Sequence, residues 1–381
     1  MNGRAVLAAV LAASAALCAY EPFFEDFDGA SPTYFSYGSG GHQAPFTHVS
    51  GTESPDEPGT TVMTLTIDTA DAAGAWQGVN FQTPGLLGFG TYAARVKTPT
   101  AKDSAMNQPL AGAVVGFFTY RHDADDNGNG VLENSEIDFE WLIADPRVIY
   151  LTAWVDVNDD PWRVTKINRT IDLSRGRILQ TVYENLDGTR GSFTDELSNS
   201  PSTIAAIPDY DASARFYVYG FDWATDRIRW WMIDPAAPAD TIVLWDYRGD
   251  VKYVTQQPAY LMFNFWHTDS WSVEGVPNST QKPRHPFAAQ FDWVSYTPAP
   301  EYDVAVRRPV AAAPEFSASF AGRGTIAVTG ARGNRVEVFD TSGTRVARVP
   351  ASDGTLFVGV PGAGVYLVKC RGEARKVAVP E

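Results

Sequence analysis

The sequence predicts an all-β protein: two stacked antiparallel sheets forming a sandwich or barrel, followed by a small all-β module. Two observations lead there. Between Tyr20 and Tyr296, short alternating or aromatic-rich stretches recur, separated by Gly, Pro, Asn and Asp, and no long run repeats with helical period. All 11 Trp lie before residue 300, after which the composition turns to Pro and Ala. Many short strands with turn signals between them are the pattern of sandwiches and barrels.

In chain order, Arg4 precedes an apolar run from Ala5 to Leu17 and small residues at Cys18-Ala19, the layout of a secretory signal peptide over residues 1–19. A main body is expected over 20–298, a Pro/Ala-rich linker over 299–314 and the small module over 315–381. No other apolar run approaches the roughly 20 residues of a membrane span. Of the two cysteines, Cys18 would leave with the signal, so the mature chain is expected to close no intramolecular disulfide and to draw its stability from a packed core, alone or with a metal ion.

The net charge of -15 divides unevenly. From Arg307 onward there are 11 Lys+Arg and 6 Asp+Glu (+5), leaving 19 against 39 (-20) before it. So acidic a body argues against a nucleic-acid partner, since it repels phosphates.

Strand candidates in the body are Thr61–Ile67, Thr91–Lys97, Ala113–Tyr120, Val148–Val155, Phe216–Trp223, Arg227–Ile233 and Ala259–Trp266. The most informative is Glu136-Ile137-Asp138-Phe139-Glu140-Trp141. Alternation puts Ile137, Phe139 and Trp141 toward a core and Glu136, Asp138 and Glu140 on the other face. Three acids in a row repel and raise at least one carboxyl pKa, which points to chemistry rather than folding.

Hydrolysis of a glycosidic bond needs that chemistry: one carboxylic acid protonates the leaving oxygen and a second carboxylate acts at the anomeric carbon. The abundant Trp suits it too, because pyranose faces stack on aromatic rings. The five His are scattered without zinc-like spacing, so no cofactor is expected for catalysis. The loop with Asp123, Asp125 and Asn127 echoes a calcium loop, but Asn134 stands where the EF-hand carries Glu, and it reads as a solvated turn.

Taken together, Gly88–Lys97, Phe117–Tyr120, the acidic motif, Tyr219–Trp223, Met262–Trp266 and Phe291–Tyr296 resemble, in order, glycoside hydrolase family 16 and its lichenase branch, which cleaves β-1,3-1,4-glucan. The resemblance implies a jelly roll with a cleft on its concave sheet, Glu136 as nucleophile, Glu140 as general acid/base and Asp138 as the helper between them. It also implies sugar stacking on Trp266 and Trp271 and a structural Ca²⁺ at Asp292; Phe118 and Tyr120, which flank the motif on the preceding strand, and Trp154 and Asn264 are further candidates for substrate binding. A single residue between Asp138 and Glu140 is the regular-strand form of lichenases and xyloglucan-active enzymes. The stretches Trp76–Asn80 and Tyr150–Trp154 depart from the lichenase pattern and leave the linkage open.

Val336–Val346, Pro361–Val368 and Arg375–Val379 resemble the sorting domains of bacterial type IX secretion. The implied protein is a bacterial, extracellular or surface-attached monomer that engages secretion machinery and acts on a polysaccharide. A transglycosylase and a non-catalytic glucan-binding or wall protein are the alternative readings.

Overall fold

The computed structural model describes residues 21–37, 47–67, 77–100, 113–122, 131–267, 287–299, 316–322, 324–331, 335–350, 355–370 and 373–380. The signal-like segment, the loop of Asp123, Asp125 and Asn127, Trp271 and nearly all of the linker lie outside them.

Two large antiparallel sheets make the body, as the turn-punctuated pattern predicts. The first has nine strands, in spatial order Arg190–Ser192, Arg177–Glu184, Trp162–Asp172, Val148–Asp159, Leu132–Leu142, Ala113–His122, Tyr260–His267, Gln77–Gln82 and Ser36–Tyr37. The second runs Thr241–Tyr247, Arg227–Ile233, Tyr217–Ala224, Gly90–Lys97, Phe287–Pro298, Thr61–Ile67 and Thr47–Glu53, with Phe23–Glu25 also paired to Phe287–Pro298. Among the described residues the only helical turn is Val251–Tyr253.

Leu132–Leu142 occupies the middle of the nine-stranded sheet, and from Ile137 onward one of its faces is apolar. Ile137, Phe139 and Trp141 are fully buried against the second sheet, where Phe139 and Trp141 meet Tyr219. Trp230 Nε1 crosses the core to donate to the carbonyl of Asp138 (3.0 Å), and Trp141 Nε1 donates to Tyr210 Oη (3.3 Å). Burying Ile137 and Phe139 contributes about 1.5–3 kcal/mol each. That gain holds the strand in place although its other face carries three acids.

Residues beyond 316 form two small sheets. Ser317–Gly322, Thr325–Thr329 and Leu356–Gly359 make one; Arg345–Pro350, Arg335–Phe339, Gly364–Cys370 and Glu373–Val379 make the other. They enclose their own core, including Ile326, Val338 and Val368.

This unit rests on the outside of the second large sheet. Phe24 stacks on Trp293 (5.4 Å) and meets Phe339 (5.5 Å), and a Cβ at Gly343 would overlap the Trp293 indole. Around that apolar patch, Arg335, Arg345 and Arg348 lie 3.4–3.8 Å from Asp28, and Lys369 pairs with Asp26. The charge imbalance in the sequence thus becomes a contact between a basic unit and an acidic body.

Candidate active site

Neighbouring residues in an antiparallel ladder share a face, so the register converts the acidic alternation into three rows across the sheet. The Glu136 row reads Tyr260, Tyr120, Glu136, Trp154, Lys166, Glu184, Arg190. The Asp138 row reads Met262, Phe118, Asp138, Thr152, Asn168, Val182, Ser192. The Glu140 row reads Asn80, Asn264, Gly116, Glu140, Tyr150, Thr170, Gln180.

A cleft of about 840 Å³ opens over these rows, with Glu136, Glu140, Trp154, Lys166, Asn168 and Trp266 among its lining residues. Glu136 and Glu140 are half-buried at its floor and Asp138 is buried between them. Asn134 Nδ2 donates to Glu136 Oε2 (3.0 Å), while His122 Nδ1 lies 3.2 Å from Asn134 Oδ1. Asn168 Nδ2 donates to Thr152 Oγ1 (3.0 Å) and Gln180 Nε2 to Asn168 Oδ1 (2.8 Å), so amides line the cleft beside the acids.

No family model matches the chain. A β-glucanase of Brevibacillus brevis is 30% identical over 98 residues, which are 25% of this chain and 32% of that protein. A β-glucanase of Paenibacillus polymyxa is 29% identical over 93 residues, 23% of this chain and 32% of that protein. The chain thus matches about a third of the length of these curated relatives. Among solved structures, Bacillus licheniformis β-glucanase aligns at TM-score 0.44 and 16% identity, over 73% of this chain and 98% of that one. A Crh5 transglycosylase aligns at 0.42 and 15% identity, over 74% and 85%.

Burial raises all three carboxyl pKa values. Glu136 is pushed up to about 7 by burial, opposed by the Asn134 amide and the Lys166 charge. Glu140 is pushed up to about 8 by burial and by the charge of Glu136, opposed by the Lys166 charge. Asp138 rises well above the usual range through burial and both glutamates, and shares a hydrogen bond with Glu136. Burial and two neighbouring carboxylates thus favour the protonated form of Asp138, while the Asn134 amide favours the ionised form of Glu136.

The aromatic candidates divide. Trp266 lines the cleft. Phe118 is buried opposite Asp138, and Tyr120 is exposed opposite Glu136. Trp154 also lines the cleft, but the Lys166 ammonium sits 4.1 Å over its ring centre, so one ring face is taken by a cation rather than open to a sugar.

Asn264 lies in the Glu140 row with its amide over Gly116, where a Cβ would overlap its Oδ1. Asn264 Oδ1, Asn80 Oδ1 and Asp138 Oδ2 are buried without a hydrogen-bond partner among the described residues. Buried polar atoms left this way call for a ligand or water, and sugar hydroxyls would serve. Gly116→Ala is expected to displace Asn264 and lower kcat/KM by about 10- to 100-fold with the circular dichroism spectrum unchanged. Wild-type kinetics in that variant would remove Asn264 from the site.

At Asp292 the structure departs from what the resemblance implies. The residue sits at a bulge between Phe291 and Trp293, and Arg95 Nη1 donates to its Oδ2 (2.8 Å). The other Arg95 nitrogen binds Glu57 (2.9 Å), and Arg345 adds positive charge. A guanidinium thus supplies the charge expected of calcium, and these residues do not fit a calcium shell. Arg95→Met is expected to cost about 3–5 kcal/mol in urea unfolding by stranding a buried carboxylate, whereas chelators leave Tm unchanged. A fall in Tm on chelation would restore calcium.

Lys166, Asn168, Gln180, Glu184 and Arg190 were not singled out from the sequence. The signal was present, since Lys166, Asn168 and Thr170 alternate as the acids do, but nothing local said which strand they would face.

Proposed function

We propose that the protein is a secreted endo-acting glycoside hydrolase that cleaves β-1,3-1,4-glucan or a related β-glucan with retention. The observation that carries this reading is the row of three carboxylates on the cleft floor, with Glu136, hydrogen-bonded by Asn134, at one end and Glu140, its pKa raised by burial and by Glu136, at the other. The partial relatives, both β-glucanases, support a glucan as substrate.

In the first step a Glu136 oxygen attacks the anomeric carbon while Glu140 gives its proton to the departing glycosidic oxygen. The bond to the leaving sugar breaks as the bond to Glu136 forms. Glu140, now ionised, takes a proton from water, which attacks the same carbon and releases Glu136. Asp138 supports Glu136 by the hydrogen bond they share, and these steps call for carboxylates alone. The C-terminal sheets are assigned to secretion on the sequence resemblance, and the N-terminal apolar run on its signal-peptide layout.

The test is reducing-sugar release from mixed-linkage glucan, laminarin and xyloglucan, with product stereochemistry read by NMR and Glu136→Gln run alongside. Release by wild type alone, with the β-anomer first, supports the reading. Lengthened chains would identify a transglycosylase using the same acids, and no release from a wide polysaccharide panel would leave a glucan-binding protein.

A further inference from the structure

We infer that Lys166 is a positioning residue of the acid row: seated on Trp154 and in line with Glu136, its ammonium makes Glu136, not Glu140, the carboxylate that stays ionised. This rests on the hydrolase reading above, and three separate features of the sheet support it.

The first is the register. Thr165 pairs with Asp156, so a regular ladder would set Lys166 beside Val155; a bulge instead brings it opposite Trp154. On the other side of the same strand a second bulge, between Glu133 and Glu136, brings Glu136 opposite Trp154 as well. Bulges beside active sites re-aim side chains, and these two align Glu136, Trp154 and Lys166 in one row.

The second is how the ammonium is held. It sits 4.1 Å over the Trp154 ring, an attraction that fixes its position. Its nearest acid is Glu184 at 3.9 Å, but Glu184 is engaged more closely by Arg190 at 2.7 Å. The charge of Lys166 is therefore only partly neutralised and acts into the cleft that it lines with Glu136 and Glu140.

The third is asymmetry. Lys166 favours ionisation of both glutamates, but it shares its row with Glu136, whereas Glu140 lies four residues along the strand, roughly 13 Å away between Cα atoms, so the stronger effect falls on Glu136. The other charged or titratable groups facing Glu136 are Asp138 and Glu140 on its own strand, Tyr120, and His122 through Asn134. Tyr260 lies in the same row, Tyr150 and Tyr183 line the cleft with Glu136, and the Glu184–Arg190 pair stands beyond Lys166. Among these described residues Lys166 is the cation closest in line to Glu136.

The experiment compares wild type, Lys166→Met, Lys166→Arg and Glu184→Gln by pH profiles of kcat and KM, and by NMR titration of the Glu136 carboxyl, assigned with Glu136→Gln. For Lys166→Met the acid limb and the Glu136 titration should both move up by about 0.5–1 pH unit. Near neutral pH kcat should fall about 3- to 10-fold with KM little changed. Lys166→Arg should restore the wild-type limb, and Glu184→Gln should move it down. An unmoved Glu136 titration in Lys166→Met overturns the inference, as does a change confined to KM, which would make Lys166 a sugar contact. The titration reads Glu136 whether or not a substrate is hydrolysed, so an inactive wild type would sink the hydrolase reading while still deciding this one.

Discussion

Glu136→Gln is expected to lose at least roughly a thousandfold in kcat on any glucan the wild type cleaves, because an amide cannot form the glycosyl ester on which the reaction depends. Glu140→Gln should lose comparably on polysaccharide but far less in the first step on an aryl glycoside whose phenol leaves without a proton. Its glycosyl-enzyme should then accumulate, since no base activates water, and an external anion such as azide should relieve the block. The two variants thus separate nucleophile from acid. Equal losses on both substrates, or rescue of Glu136→Gln rather than Glu140→Gln, would reverse the assignment of nucleophile and acid.

The same acids should cost stability, with a defined pH dependence. The folded-state pKa of Glu140 is raised from an ordinary value of 4.5 to about 8. Between those values the folded protein binds more protons than the unfolded chain, so stability falls as pH rises through the window. Glu140→Gln removes that penalty. The variant should be more stable than wild type at about pH 8, by roughly 1–3 kcal/mol after allowing for solvent in the cleft. The advantage should disappear at about pH 4, where both forms are neutral. Urea unfolding at the two pH values measures this; a variant less stable than wild type at the higher pH would mean that the Glu140 carboxylate is held by a favourable contact.

Much of the fold could be read from the order of residues. Ile137, Phe139 and Trp141 alternate with acids because one face of their strand is buried and the other opens to the cleft, and that pattern is written along the chain. Aromatic-rich stretches and turn residues likewise implied two antiparallel sheets, which the strand pairing shows. The site was legible to the extent that it lies on one strand. Asp292 shows the opposite case: its motif implied a metal, but its actual neighbour, Arg95, comes from another strand about two hundred residues earlier.

What the sequence determined by itself is therefore along-strand information: strand identity, which residues face the core, and three acids facing away from it. Only the tertiary structure decided which residues stand beside those acids. The row from Glu136 through Trp154 to Lys166 depends on the registers of two ladders and on two bulges. These are set by turns and by packing against the second sheet, interactions between residues distant in the chain, which side-chain periodicity does not record.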